Sequence, residues 1–406
     1  MNNIKKLLII GGGFAGVWAA LSAMRHLRIL NKQHEVEITL INKDDYHGLR
    51  PRFYEEDLSQ TRVPLEKILI PFGIKLVIGE VSVIDLKRQT VDIKNASSEL
   101  EIHQYDKLIL AAGSHLFAPP VPGLNEFGFN VDTYAAAKHL SNHLHALHKK
   151  SAKGRFTVVV VGGGFTGLEA ATDIIGRLKK LASEQDNVRV IIVDHSEIGS
   201  SLGQEPMTIV QKALRELNIE TMINVHVSSI EKDQVILDSG EAIDTQTVIW
   251  AAGMRASPLT KMFPAELDRF GRLPVDSFLR IKGTENCFAA GDVAAAMTDE
   301  THPTLLCCQH AMPLGRWAGH NAIADLLGEP LIPYEQTKWV TILDLGTWGA
   351  LYAEGWEQHL VSQGQEAKEL KLFVNHKRIS PLTSGNIDEL LYEAAPVFRP
   401  MPLTEV

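Results

Sequence analysis

Apolar residues open the chain as a short unbroken run, Leu7 to Ile10, which stops at three consecutive glycines. A run of that length bounded by glycine predicts a buried strand, because a strand inside a parallel sheet is covered on both faces. From Val17 to about Leu30 apolar positions recur at helical spacing, and Val36 to Ile41 closes a strand, turn, helix, strand unit. The same order returns further on: Val158 to Val161, glycines between Gly162 and Gly167, a helix through about Leu181, and a strand from Val188 to Val193. One supersecondary unit is predicted to occur twice.

Between the repeats, Val81 to Leu86 and Gln89 to Ile93 alternate and predict antiparallel strands, and the run from Tyr105 to Ala112 ends on Gly113. A proline-rich stretch, Pro119 to Gly123, reads as a linker. The order then echoes: Ile230 to Leu237 alternates, and Thr247 to Ala252 ends on Gly253. The predicted fold class is α/β, with two Rossmann-like dinucleotide-binding domains, each carrying an inserted β-meander. Residues 1–118 and 279–333 would form the first, 119–278 the second, and 334–406 a small C-terminal region with Trp339, Trp348 and Trp356.

The length of 406 residues allows two or three domains. A net charge of −9 leaves no basic surplus to neutralise phosphates, which argues against a nucleic-acid partner. Three cysteines, Cys287, Cys307 and Cys308, fit a reducing, cytoplasmic compartment rather than a disulfide framework. No run approaches the apolar length of a membrane-spanning helix, so any membrane contact is expected to be peripheral.

Gly11, Gly13 and Gly16, and again Gly162, Gly164 and Gly167, have the dinucleotide spacing: one glycine for the turn, one for close approach of a pyrophosphate, one for helix–strand packing. A single match arises by chance roughly 0.2 times in a chain this rich in glycine, but two matches, each between a strand and a helix, do not. Asp194 stands where an acid accepts hydrogen bonds from a ribose, with no Arg or Lys just beyond it, which favours NADH over NADPH. Asn42 takes that place in the first unit. Thr284 to Asp292 predicts a strand ending in Gly291 and Asp292 with a helix-like Val293 to Met297 after it, suited to a polyol and phosphates, and hence to FAD.

The order of these motifs resembles the two-dinucleotide-binding-domain flavoproteins, also called the pyridine nucleotide-disulfide oxidoreductase family. The run Asn42 to His47 with Pro51 and Tyr54, and Cys308-Gln309-His310-Ala311 with Gly315, are most similar to the type II NADH:quinone oxidoreductases. The resemblance implies FAD held by Gly11, Gly12, Gly13, Phe14, Ala15, Gly16, Asn42, Lys43, Val81, Ala112, Gly113, Gly291 and Asp292. It implies NADH held by Gly162, Gly164, Phe165, Thr166, Gly167, Asp194 and Gly253. Glu169 matches a glutamate beside the nicotinamide and flavin, with a helix-dipole role as the plainer alternative.

Hydride transfer between the cofactors needs no protein nucleophile. The resemblance places Gln309 and His310 at a quinone or other small electron acceptor, although Pro313 stands where a second glutamine belongs. It also implies a non-pumping enzyme, a homodimer, and the inner face of the cytoplasmic membrane as the place of any attachment. The acidic amphipathic stretch Asn386 to Ala395 is a poor electrostatic match to an anionic leaflet, and membrane attachment and packing on the protein both stay open for it. Cys307 and Cys308 read as small buried residues at a helix start, and His139, His143, His145 and His148 as a helix face rather than a metal site. Two other readings stay open: a reductase of a small redox protein, and a slow FAD- and NADH-holding sensor.

Overall fold

The computed structural model describes residues 4–381 and 386–397. In chain order the first unit runs β1 (Lys5–Ile10), α1 (Phe14–Ile29), β2 (Val36–Asn42), β3 (Lys75–Ile78) and β4 (Lys107–Leu110). The second runs β5 (Thr157–Val161), α2 (Phe165–Leu181), β6 (Arg189–Val193), β7 (Glu220–Met222) and β8 (Thr247–Trp250). The chain then returns through β9 (Cys287–Ala289) and α3 (Cys308–Leu327).

Two five-stranded parallel sheets result, in the orders β9-β4-β1-β2-β3 and Gly128–Phe129-β8-β5-β6-β7. Every residue of β5 is buried, as expected of a strand sandwiched between helical layers. Each sheet carries an antiparallel three-stranded meander: Glu80–Asp85, Thr90–Lys94 and Leu100–Gln104 in the first unit, and Val227–Ile230, Gln234–Leu237 and Ala242–Asp244 in the second. The stretch Ile230 to Leu237 spans the hairpin of this meander and turns at residues 231–233. Pro119 to Gly123 is strapped to this meander, where Ile230 N donates to Pro122 O at 2.9 Å.

α1 and α3 pack so closely that a Cβ on Gly315 or Gly319 would lie 2.2 and 2.1 Å from the carbonyls of Ala15 and Ala19. This close approach brings the start of α3 beside the start of α1. The C-terminal region forms an antiparallel sheet of β10 (Val340–Asp344), β11 (Ala350–Glu354) and β12 (His359–Gly364), followed by α4 (Gln365–Phe373). Leu343, Leu345 and Leu351 join the core of the second unit alongside Leu168, Ala171 and Ile175 of α2. A final helix, α5 (Ile387–Glu393), lays Leu390 against the core that α1 belongs to, with Ala394 just beyond its end. Ile387 and Leu391 pack against the same core.

One predicted element is corrected. Val293 to Met297 is not helical: Gly291–Val293 is a single 3-10 turn, and Ala294–Ala295 runs extended, paired with Leu273–Pro274. Three alanines nucleate too few helical bonds to resist that pairing. The helix that reaches this region is α3, which starts later in the chain.

Candidate active site between the two nucleotide folds

The two glycine turns are near copies. Gly11 and Gly162 both have φ of +111°, and a Cβ on Gly16 or Gly167 would lie 1.7 or 1.8 Å from the carbonyl of Gly11 or Gly162. Gly13 and Gly164 cap α1 and α2 without any side-chain cap, and nothing lies within 4 Å of where their Cβ atoms would be. Open N–H groups at a helix start, with free space in front, fit the pyrophosphate of a dinucleotide. The residues present therefore suit two such cofactors.

The middle glycine of each turn is anchored the same way. Gly12 N donates to Asn42 Oδ1 at 2.8 Å, and Gly163 N donates to Asp194 Oδ2 at 2.6 Å. Asn42 takes the role of Asp194 because its Nδ2 also donates to Asp44 O at 2.9 Å, which a carboxylate could not do. The other Asp194 oxygen accepts from Ser196 N and Oγ at 2.8 Å. These bonds hold its carboxyl below the usual range against the opposing effect of burial. His47, buried and driven neutral with a pKa of about 4 by desolvation, bonds Gly12 O at 2.9 Å.

At the carboxyl end of β2 the predicted adenosine-side residues come together. Gly79 N donates to Asn42 O at 2.8 Å, and Lys43 pairs with Glu80 at 3.2 Å, next to Val81. Ala112 and Gly113 follow β4, and Gly253 follows β8. The strands that begin just after them, Ser114–Leu116 and Met254–Ala256, pair antiparallel and join the units at one junction. Gly291 lies where β9, α1 and α3 meet, with its Cβ direction 2.8 Å from Ala15 Cβ. Asp292 accepts from Ser114 Oγ at 2.6 Å, and Arg50 donates to the same hydroxyl at 2.9 Å while pairing with Asp132. Burial pushes the Asp292 carboxyl up, opposed by Ser114, Arg50 and Arg272.

Phe165 and Thr166 are exposed at the start of α2, and Glu169, one turn on, is buried. Its Oε1 lies 2.7 Å from Lys371 Nζ of α4 and accepts from Asp344 N at 3.1 Å. Asp344 in turn accepts from the Tyr54 hydroxyl at 2.9 Å and from Lys368. Desolvation raises the Glu169 carboxyl to about 7, with Lys371 opposing and Asp344 adding to the shift. Glu169 is thus buried and paired with Lys371. Sequence reasoning missed Lys371, Lys368 and Asp344. The one available signal was a lysine four residues after the fully buried Ala367, on the inward face of α4.

The cysteines begin α3, and burial pushes both thiols up, Cys308 to about 11, so neither is a ready thiolate. His310 bonds Gln336, which also accepts from the Tyr334 hydroxyl, and stacks on Trp339; the Gln309 amide, in the orientation that satisfies both its ends, bonds Val340 O at 2.9 Å and Val340 N at 3.1 Å. Among the described residues no group of three or more His, Cys, Asp or Glu is placed to hold a metal. His143 bonds the Thr247 hydroxyl at 2.9 Å, and His139 packs on Phe129.

Residues 5–315 match the sequence profile of the pyridine nucleotide-disulphide oxidoreductase family. The chain belongs to this family. Membership makes it an oxidoreductase of the flavoprotein type, built to work with a flavin and a pyridine nucleotide. An NADH dehydrogenase-like protein of Mycobacterium tuberculosis is 43% identical over 402 residues, covering 98% of this chain and all of that one. A type II NADH:quinone oxidoreductase of Staphylococcus aureus is 27% identical, covering 84% of this chain and 88% of its own. Among solved structures, NDH2 of Plasmodium falciparum in complex with NADH superposes with a TM-score of 0.78 at 13% identity, covering 96% and 98% of the two chains. The sulfide:quinone oxidoreductase of Aquifex aeolicus gives 0.77 at 20%, covering 94% and 92%. At those identities the superpositions establish the shared fold alone.

Proposed function

We propose that this family member is an FAD-dependent NADH dehydrogenase that passes electrons to a quinone-type acceptor without pumping protons. The observation that carries the reading is the pair of uncapped glycine turns, whose units meet at the ladder of Ser114–Leu116 with Met254–Ala256. The relatives' names support NADH as donor and, more distantly, a quinone as acceptor.

FAD, when bound, supplies the two-electron carrier between NADH and acceptor. The first N–H groups of α1 and α2 hold the two pyrophosphates, Asn42 and Asp194 fix the loops that carry them, and Asp292 reads hydroxyls of the flavin chain. Asp194, already charged and hydrogen-bonded, selects a ribose without a 2′-phosphate. Glu169, with its carboxyl raised to about 7, gains and loses a proton beside Lys371 near neutral pH, and reduction of a quinone consumes two protons. Gln309 and His310 are assigned to the acceptor side, and the division into 1–118 with 279–333, 119–278 and 334–406 is part of the proposal.

A reductase of a small redox protein is the second reading, favoured by the engagement of the Gln309 amide with Val340. No helix among the described residues is long and apolar enough to cross a membrane. Cytoplasmic placement, peripheral contact and a homodimer remain part of the proposal. The test is anaerobic: NADH bleaches the flavin band of the yellow holoenzyme, and a panel of quinones and redox proteins is then mixed in by stopped flow. Rapid reoxidation by quinones is expected; reoxidation by redox proteins alone would replace the first reading with the second.

A further inference from the structure

His310 is only 1% exposed, in the first turn of α3, and one of its ring nitrogens has no partner among the described residues. Its Nδ1 lies 3.2 Å from Gln336 Oε1, which also accepts from the Tyr334 hydroxyl at 2.8 Å. Gln336 Nε2 donates to the Gln309 carbonyl at 3.4 Å. That carbonyl is open to it because the residue four positions on is Pro313, which has no N–H to donate. The Gln336 amide is therefore oriented at both ends, and its oxygen places the His310 proton on Nδ1. Nε2 is left as an enclosed lone pair, and burial keeps the ring neutral with a pKa of about 4.

The opposite polarity stands nearby. The Trp356 ring, on the turn between β11 and β12, is 6.2 Å from the His310 ring and 13° from parallel, and its buried Nε1–H also has no partner among the described residues. Trp339 stacks 4.9 Å from His310 and 5.6 Å from Trp356. A donor and an acceptor left over on neighbouring rings match a hydroxyl, which accepts from the indole and donates to the imidazole. A bare quinone carbonyl has only lone pairs to offer Nε2. Ala311, next to His310 in the first turn of α3, has its Cβ 3.5 Å from where a Cβ on Gly291 would lie, which ties this stack to the turn that carries Asp292.

We propose that the ring stack of His310, Trp339 and Trp356 is the specificity element of the acceptor site and selects a planar quinone bearing a hydroxyl substituent over its unhydroxylated counterpart. This rests on the quinone-type reading above. His310 acts here as a specificity residue that accepts the hydroxyl's hydrogen bond, and no covalent bond to it forms or breaks.

The experiment compares 2-hydroxymethyl-1,4-naphthoquinone with 2-methyl-1,4-naphthoquinone, which differ by one hydroxyl, on the holoenzyme. The wild type is expected to favour the hydroxylated compound by about 10-fold in kcat/KM, the worth of one well-made hydrogen bond. His310→Phe keeps a ring in the stack and brings the ratio near one, and Trp356→Phe does the same from the donor side. The same ratio is read without turnover, from tryptophan fluorescence quenching as each compound binds the oxidised protein. No preference in the wild type, a preference that survives both substitutions, or a matching rise in the KM for NADH overturns the inference. Quenching that shows the preference while neither compound reoxidises the flavin sinks the quinone reading and leaves the hydroxyl site standing.

Discussion

Lys371 Nζ lies 2.7 Å from Glu169 Oε1, with both side chains at most 5% exposed, so a helix of the C-terminal region places a cation beside a carboxyl of the second nucleotide fold. Lys371 Nζ also donates to Ile342 O at 3.1 Å and sits 5.2 Å from the centre of the Phe165 ring. The pair joins the C-terminal region to the second nucleotide fold at the candidate residue Glu169.

Replacing Lys371 with Met leaves the Glu169 carboxylate buried without its cation. Breaking such a pair costs about 3–5 kcal/mol when the remaining group stays charged, and much less when it protonates. Because the Glu169 carboxyl already stands near 7, the loss of thermal stability should be larger at pH 8 than at pH 6. Melting curves at the two pH values check this, and equal losses would contradict it.

A raised carboxyl binds its proton more tightly in the folded state than in the unfolded one. Its contribution is full below the ordinary value of 4.5 and is lost as pH climbs through about 7, so wild-type stability should fall across that window. At about 1.4 kcal/mol per unit the fall from Glu169 is at most ~3 kcal/mol. Asp173, also raised to about 7 by burial, adds in the same direction. Glu169→Gln should flatten the slope, measured by denaturant titration from pH 5 to pH 8.

Gly16→Ala and Gly13→Ala separate folding from cofactor retention. A Cβ on Gly16 would sit 1.7 Å from Gly11 O, whereas Gly13 has no protein atom within 4 Å. The first variant should lose both native helix content and flavin. The second should fold with a normal circular dichroism spectrum yet hold flavin at least about 10-fold more weakly, since its methyl enters the phosphate path.

Asn42→Asp restores the more usual acid in the first unit but sets a carboxylate against Asp44 O at 2.9 Å and Asp44 Oδ1 at 3.3 Å. The lost donor should cost about 1–3 kcal/mol and weaken flavin binding, read from the melting temperature with and without added FAD.

Asp194→Ala removes the acceptor of Gly163 N along with the charge that opposes a 2′-phosphate. The KM for NADH should rise by roughly 10-fold or more, while that for NADPH rises less or falls. A parallel rise for both coenzymes would show that Asp194 serves the loop alone.

The strands and glycine turns were legible because their signal is local. Leu7 to Ile10 and Val158 to Val161 must be covered on both faces, and each first glycine must adopt φ of +111°, so neighbouring residues carry the pattern. The helix expected at Val293 failed where local propensity was weak and Leu273–Pro274 offered a pairing partner. The stretch from Ile230 to Leu237 contains a turn, and the four polar residues Glu231 to Gln234 between Ile230 and Val235 mark it.

Taken alone, the amino-acid order determined that this protein has two dinucleotide folds, where their glycine turns lie, and that Asp194 and Asn42 stand at the ends of matching strands. Only the tertiary structure decided that Lys371, Asp344 and Tyr54 surround Glu169, that the Gln309 amide faces Val340, and that Pro313 leaves a carbonyl for Gln336 and so sets the tautomer of His310. The physical reason is range: backbone geometry and burial period are written within a few residues, whereas desolvation and charge pairing depend on which distant segments close over a side chain.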